Sequence, residues 1–390
     1  MSSKLNQTFF ILFLVVATEL IGFGLIIPVL PVLASNYDIS YSLLGFLMAS
    51  FSIAQFIASP ILGALSDRFG RKPVLIISKL GTVISYVILA YANNYYLFLI
   101  ARLLDGFTGG NIAVARAFVS DVTDNKSRSK GMAIIGISFG VGFIFGPILG
   151  AFLYHGMNGQ LVTSLVAGGL SFLAMMFTIF LLKEPNVHKP VVSVWDNLKN
   201  GVSEFKKVHV LFVFVTYFLY MVIFSGFETT FSMYLTYVFS MTLNEIMLMF
   251  VFSGVVGLIV QGYISRKTTL RFRLYIALGI LFLSISFFGL AFFNTFNMLL
   301  VFLTFLSISI SVIVVFMPSL LSSLVDSKRL GVAMGLYEGF GSLGRIFGPL
   351  IAYILPLSEI RFQYILYGIV LFGMFSIFSF YSKKLSQKFI

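Results

Sequence analysis

Glu19, Lys79, Arg102, Asp105, Arg116, Glu228, Glu338 and Arg345 each stand inside a stretch that is otherwise apolar. Charge in such a setting is costly and by default has a task. A buried carboxyl can hold a proton or a cation, but not both at once. That competition is the simplest way to couple proton movement to the movement of another cation. Glu19 is deep in the first apolar run and Glu228 is the analogous acid of the seventh, in the other half; neither has a partner in its own run, and both are expected to face a cavity. Arg102 and Asp105 are one i,i+3 step apart, and Arg116 returns to within about 40° of Arg102 on a helix. With Thr108, Gly109 and Asn111 this gives one polar face, although Arg102–Asp105 also reads as a self-neutralised pair and Arg116 as a snorkelling residue. Lys79 is expected to snorkel as well. Glu338 and Arg345, seven apart, share a face but are separated by about 10 Å of rise. Phe227, Tyr234 and Tyr337 lie near these acids and are candidates to line the cavity.

A second constellation is the stretch "GALSDRFGRK" (63–72), a knot of charge between two apolar runs. Gly63 and Gly70 allow close approach and unusual dihedrals. Asp67 can accept hydrogen bonds at a helix N-terminus, where the dipole favours an anion. Arg71 can pair with Asp121, and Glu338 is placed to meet the same latch. Arg68 and Lys72 read more simply as topology anchors.

Other chemistry is excluded. There is no cysteine, so no disulfide, thiol nucleophile or Cys-ligated metal. His155, His188 and His209 form no metal-ligand spacing. No nucleotide loop or nucleophile–base pattern appears. The expectation is no enzyme, no metal and no cofactor.

Elements that could position these residues follow from composition. The 390 residues are 59% hydrophobic and only 10% charged, with a mean hydropathy of +1.01. Soluble domains carry about 25% charge, so lipid must be the solvent for much of the chain. A helix needs about 20 apolar residues to span a bilayer. Twelve runs qualify: 8–34, 41–65, 74–92, 95–120, 131–154, 161–182, 209–238, 243–265, 274–293, 297–322, 332–355 and 361–382. They are continuous rather than alternating, which argues against a membrane barrel. The first is too long and too rich in Gly and Pro for a cleaved signal and is read as a retained span. The net charge of +12 does not point to nucleic acid, because its cations gather in alternate loops. Arg68, Arg71 and Lys72 open the series, Lys383, Lys384 and Lys388 close it, and the opposite loops hold only Arg361. This asymmetry puts both termini in the cytoplasm.

The polar stretch 184–208 divides the chain into an N-terminal half, 1–183, and a C-terminal half, 209–390; Trp195 to Lys207 could form a short interfacial helix. A repeat supports the division. "GISFGVGFIFGPILGAFL" (136–153) reappears as "GLYEGFGSLGRIFGPLIAYI" (335–354), with Gly146-Pro147 and Gly348-Pro349 in register. Two parallel six-span halves place a cavity between them near the midplane.

Taken together, these motifs resemble the major facilitator superfamily over the whole chain. "GALSDRFGRK" is similar to its loop between spans 2 and 3. "ARLLDGFTGG" (101–110) is similar to the span-4 pattern through Arg102 and Gly106. "GFIFGPILGAFL" (142–153) is similar to the antiporter motif of span 5 through Gly142, Gly146, Pro147 and Gly150. "GFGLIIPVLP" (22–31) looks like tetracycline, quinolone and multidrug proton antiporters, and "GFETTFSMY" (226–234) like the quinolone and multidrug branch. The resemblance implies an all-α membrane protein of twelve helices in two pseudo-symmetric halves. It implies a proton-coupled antiporter exporting small amphipathic or cationic molecules by alternating access. Proton-coupling and substrate residues would then be Glu19, Arg102, Asp105, Asn111, Glu228 and Tyr234, and the latch Gly63, Asp67, Arg68, Gly70, Arg71, Asp121 and Glu338. Two departures leave the substrate open. Val314 to Pro318 in span 10 lacks the acid and arginine of several multidrug members, and span 3 offers Lys79 and Ser85 where tetracycline exporters carry an acid. An importer, a facilitator or a lipid or lysolipid flippase of the same fold stays as an alternative, with a non-transporting receptor behind it. The expected partners are a small-molecule substrate, protons and lipids, with no nucleic acid, in a monomer of the bacterial plasma membrane.

Overall fold

A computed structural model describes residues 3–123, 128–154, 158–185, 208–265, 272–325 and 330–386, and every element in them is helical. In chain order these are α1 (Ser3–Asn36), α2 (Tyr41–Phe69), α3 (Arg71–Ala90), α4 (Tyr95–Gly109), α5 (Asn111–Val122), α6 (Arg128–Leu153) and α7 (Gly159–Leu181). Then follow α8 (Val208–Phe239), α9 (Leu243–Ser265), α10 (Phe272–Phe292), α11 (Phe296–Leu324), α12 (Leu330–Ala352) and α13 (Ile360–Ser386), with a 3-10 turn at Leu357–Glu359. Ten stretches among the described residues are long and apolar enough to cross a membrane, and α4 with α5 forms one of them. The helices α6 and α12, which carry the two Gly-Pro pairs, bring the set to twelve spans. In lipid, the helix is the form that satisfies every backbone polar group within one segment. Large apolar side chains such as Phe152, Phe180 and Ile354 stand exposed on the outside, as lipid-facing residues do.

Local chemistry sets the ends. The side chain of Asn94 caps α4 by accepting from the Leu97 amide at 3.1 Å. Gly70 separates α2 from α3 at φ +97°, where a Cβ would be strained. Span 4 departs from the continuous helix expected over 95–120: it breaks at Gly110, between the adjacent glycines Gly109 and Gly110 and the polar Asn111. The interfacial helix expected from Trp195 to Lys207 lies outside the described residues.

The chain divides into two compact units, one built on α1–α7 and one on α8 and α10–α13; α9 is divided, its first part, Leu243–Val251, grouping with the first unit. Within the first unit α1 packs on α6, α3 on α7 and α4, and α2 on α4. Within the second, α8 packs on α12, and α10 on α13 and α11. Three of these pairings are equivalent by order in each half: first span on fifth, third on sixth, third on fourth.

Glycine makes the first of these pairings close. A Cβ on Gly146 would lie 2.8 Å from the Cα of Gly24, and one on Gly150 would lie 2.6 Å from the Leu25 carbonyl oxygen. The other unit repeats this: a Cβ on Gly348 would lie 2.8 Å from the Gly226 amide nitrogen and 2.6 Å from the Val222 carbonyl. Gly24 and Gly226, Gly142 and Gly344, and Gly146 and Gly348 are each 202 positions apart. The same offset links Asp38 and Ser240, the two non-glycine residues with positive φ among those described, both at 53° in the turns after α1 and α8.

Candidate functional site

The first unit holds a buried cluster of four charges. Glu19 comes from α1, Lys79 from α3, and Arg102 and Asp105 from α4, with Asn111 from the first turn of α5. Lys79 Nζ lies 2.8 Å from Glu19 Oε2, with the side chains 0% and 2% exposed. Its second partner is Thr18 Oγ1, 3.1 Å away. Asn111 Nδ2 donates to the same Glu19 oxygen at 3.1 Å, and the Thr82 hydroxyl stands 3.5 Å from it. The other oxygen, Oε1, accepts no hydrogen bond among the described residues. It faces Gly109, where a Cβ would come within 3.0 Å of it and 3.3 Å of the Phe51 ring. Gln55 Nε2 takes the Gly109 carbonyl at 3.1 Å, so the break in span 4 is held from α2.

Arg102 Nη1 and Asp105 Oδ2 pair at 3.3 Å. The guanidinium also lies over Phe51 and Phe23, with its Cζ 4.6 and 5.6 Å from the ring centroids. Cations are attracted to ring faces in this arrangement. Gly106, one turn on, lets α2 approach: a Cβ there would overlap the Phe51 carbonyl. Arg102 Nε, Asp105 Oδ1 and Asn111 Oδ1 are buried with no hydrogen-bond partner among the described residues. Buried polar atoms are nearly always satisfied, so this cluster keeps unspent capacity for a proton, a water or a ligand group.

Lys79 is not a snorkelling residue. Its amine is fully buried and bound to Glu19, sixty positions away in sequence. A lone cation in an apolar run looks the same whether it reaches for the interface or for an acid on another helix. The polar side chains Ser78, Thr82 and Ser85 around it, all buried, are the signal that this face of α3 points inward.

In the second unit Glu228 of α8 is buried, and among the described residues its carboxyl forms no ion pair or hydrogen bond; Arg345 of α12 is a cation whose field reaches it. Arg345 itself donates to Ser342 Oγ at 2.9 Å. Glu228 is not the counterpart of Glu19. By the 202-residue offset Glu19 corresponds to Met221 and Glu228 to Ile26, a difference of seven residues or about 10 Å of rise. Tyr234 is fully buried, its hydroxyl donates to the Leu290 carbonyl at 2.6 Å, and its ring packs on Phe231, Phe239 and Tyr364. Phe227 joins the same aromatic group, and Tyr337 stacks on Tyr217 at 3.7 Å. These rings pack the interior of the unit.

The charged turn is organised around Arg71. Its guanidinium pairs with Asp67, with Asp121 at 2.9 Å and with Ser66 Oγ. Glu184, just beyond α7, accepts from the backbone amides of Arg71 at 2.6 Å and Lys72 at 2.7 Å, one with each oxygen. It thereby caps α3 at the end where the dipole favours an anion. In the sequence Glu184 is marked only as an acid in a stretch otherwise rich in lysine. Gly70 is needed at this turn. Gly63 is not, since a Cβ there would meet nothing within 4 Å among the described residues. Arg68 is exposed, with its guanidinium over Phe69. Glu338 follows Tyr337 in α12 and is partly buried.

Comparison with known proteins agrees with this architecture. The family model for the Major Facilitator Superfamily matches residues 12–288 and 273–388. The tetracycline resistance protein, class H, of Pasteurella multocida is 31% identical over 270 residues, 67% of each chain. Multidrug resistance protein 2 of Bacillus subtilis (strain 168) is 28% identical over 382 residues, 95% of each chain. The crystal structure of the human organic anion transporter MFSD10 (TETRAN) superposes with a TM-score of 0.76 at 24% identity, covering 97% of this chain and 100% of that one.

Proposed function

The chain belongs to the Major Facilitator Superfamily, and from that premise we propose that this multi-pass membrane transporter is a proton-coupled antiporter. It exports small amphipathic or cationic organic molecules by alternating access, without covalent chemistry. The observation that carries the reading is the buried Glu19 carboxylate, with one oxygen saturated by protein donors and the other open. A proton and a cation compete for this one carboxylate site, so it serves both ligands in turn. Glu228 gives the other unit a second buried carboxyl, one without a protein partner among the described residues. Efflux relatives at modest identity support the direction. We place the protein as a monomer in a bacterial plasma membrane, with halves at 1–183 and 209–390 joined by 184–208 and both termini cytoplasmic.

The test is accumulation of a cationic dye in proteoliposomes under an imposed pH gradient. Wild-type protein is expected to concentrate the dye. Glu19→Gln is expected to allow downhill exchange only, and Glu228→Gln to weaken cations more than neutral compounds. Uphill accumulation at the wild-type level by both variants refutes these acids as coupling sites. Dye equilibration that ignores the pH gradient marks a facilitator instead.

A further inference from the structure

Under the antiport reading, on which this inference rests, an exported cation needs Glu19, yet Glu19 already holds one. Lys79 Nζ sits 2.8 Å from Oε2 and is fully buried. With Glu19, Asp105, Lys79 and Arg102 all ionised the cluster is neutral, so an added cation gains nothing from net charge. We propose that Lys79 is a tethered stand-in for the substrate. Its ammonium occupies Glu19 in the resting protein, and an organic cation gains Glu19 by displacing it, whereupon Lys79 releases a proton.

The step balances. Lys79–NH3+ loses one proton to water and becomes Lys79–NH2, while the substrate cation takes its place beside the Glu19 carboxylate. The charge of the cluster is unchanged. Release follows from burial: an ammonium without a countercharge is not sustained in an apolar interior and neutralises instead. The open Oε1 beside Gly109 and the edge of Phe51 supplies the first foothold. Phe51 and Phe23 already accept the guanidinium of Arg102 on their faces, so this wall suits an organic cation rather than an anion. The titratable and charged groups around Lys79 are Glu19 of α1, Arg102 and Asp105 of α4, and Tyr86 of α3 itself. Helix α7 carries none, α2 carries none between Tyr41 and Asp67, and Arg116 of α5 is about 140° around that helix from Asn111.

Two substitutions separate this role from that of a structural counterion. Lys79→Arg keeps the positive charge but cannot deprotonate. Lys79→Met removes the charge and leaves Glu19 to carry the proton itself. Tetraphenylphosphonium is the probe, because it is permanently charged and has no proton to release. Binding and pH-driven uptake should fall at least about tenfold in Lys79→Arg, a shift of about 1.4 kcal/mol, and fall clearly less in Lys79→Met, where no cation competes for Glu19. A structural counterion gives the reverse order. Wild-type rates in Lys79→Arg overturn the proposal. Thermal stability of both variants, with Glu19→Gln/Lys79→Met as a charge-free control, shows whether each has folded. Should Lys79→Arg not fold, proton release in weakly buffered detergent decides. A Glu228→Gln background should release one proton per probe bound, and no release overturns the proposal. Uptake of carboxyfluorescein by wild type, lost in both Lys79 variants, would show an anion site and also overturn it. Failure of wild type to move any probe with a pH gradient refutes the antiport reading itself.

Discussion

Replacing Gly146 by alanine adds one methyl group where two helices touch through their backbones. The new carbon would lie 2.8 Å from both the Cα and the carbonyl carbon of Gly24, and 2.9 Å from the Ile21 carbonyl oxygen. Carbon atoms rest about 3.5–4.0 Å apart, so α1 and α6 must separate by roughly 0.7 Å or more at this point. No side-chain rotation relieves the clash, because the neighbours are backbone atoms. Overpacking of this kind costs about 1–3 kcal/mol, against which alanine returns up to about 1 kcal/mol of helix propensity. Loosening reaches Gly142 on Leu20 and Gly150 on Leu25, along the same seam, and puts the expected net loss at about 1–2 kcal/mol. Gly348→Ala should behave alike, since its carbon would meet the Gly226 amide at 2.8 Å. Gly169→Ala in α7 is the control: nothing lies within 4 Å of its added carbon, so only the propensity gain is expected. Reversible unfolding in mixed detergent micelles measures all three. Equal stability of Gly146→Ala and Gly169→Ala, within about 0.5 kcal/mol, would refute backbone contact as what the Gly-Pro motif provides.

Glu184→Gln keeps an acceptor at the start of α3 but removes the anion, and Glu184 is exposed, so the expected loss is about 0.3–1 kcal/mol, read as a lowered melting temperature that added salt partly masks. Topology is tested by single cysteines in this Cys-free chain: an impermeant reagent on intact cells should label position 158 and spare position 195, and the opposite pattern refutes a cytoplasmic central segment.

Much of the fold was legible because lipid makes a single demand, long apolar helices, and twelve runs met it. The Gly-Pro repeat was legible for a related reason: close backbone contact leaves few residue choices. The pairing of Arg102 with Asp105 could be read because both lie on one helix, three residues apart. Among contacts between distant helices, Arg71 with Asp121 was legible and the others were not. Lys79 finds Glu19 across sixty positions, and nothing in the run around Lys79 names its partner. Glu184 meets the amides of α3 from more than a hundred positions away, and backbone donors leave no mark in a sequence. The likeness of Glu228 to Glu19 fails for a different reason: the 202-residue offset set by Gly146 and Gly348 pairs Glu19 with Met221, not with Glu228.

That offset separates what the two halves share from what they do not. Three seam glycines and the left-handed turns at Asp38 and Ser240 recur in register, while Glu19, Lys79 and Glu228 have no counterparts that are ionisable: their partners by position are Met221, Leu281 and Ile26. The two halves thus share the design of a close helix contact but not these three buried charges. A replacement at any of these three leaves no symmetry-related residue out of step, whereas the seam positions 24 and 226, 142 and 344, and 146 and 348 are held to glycine in both copies.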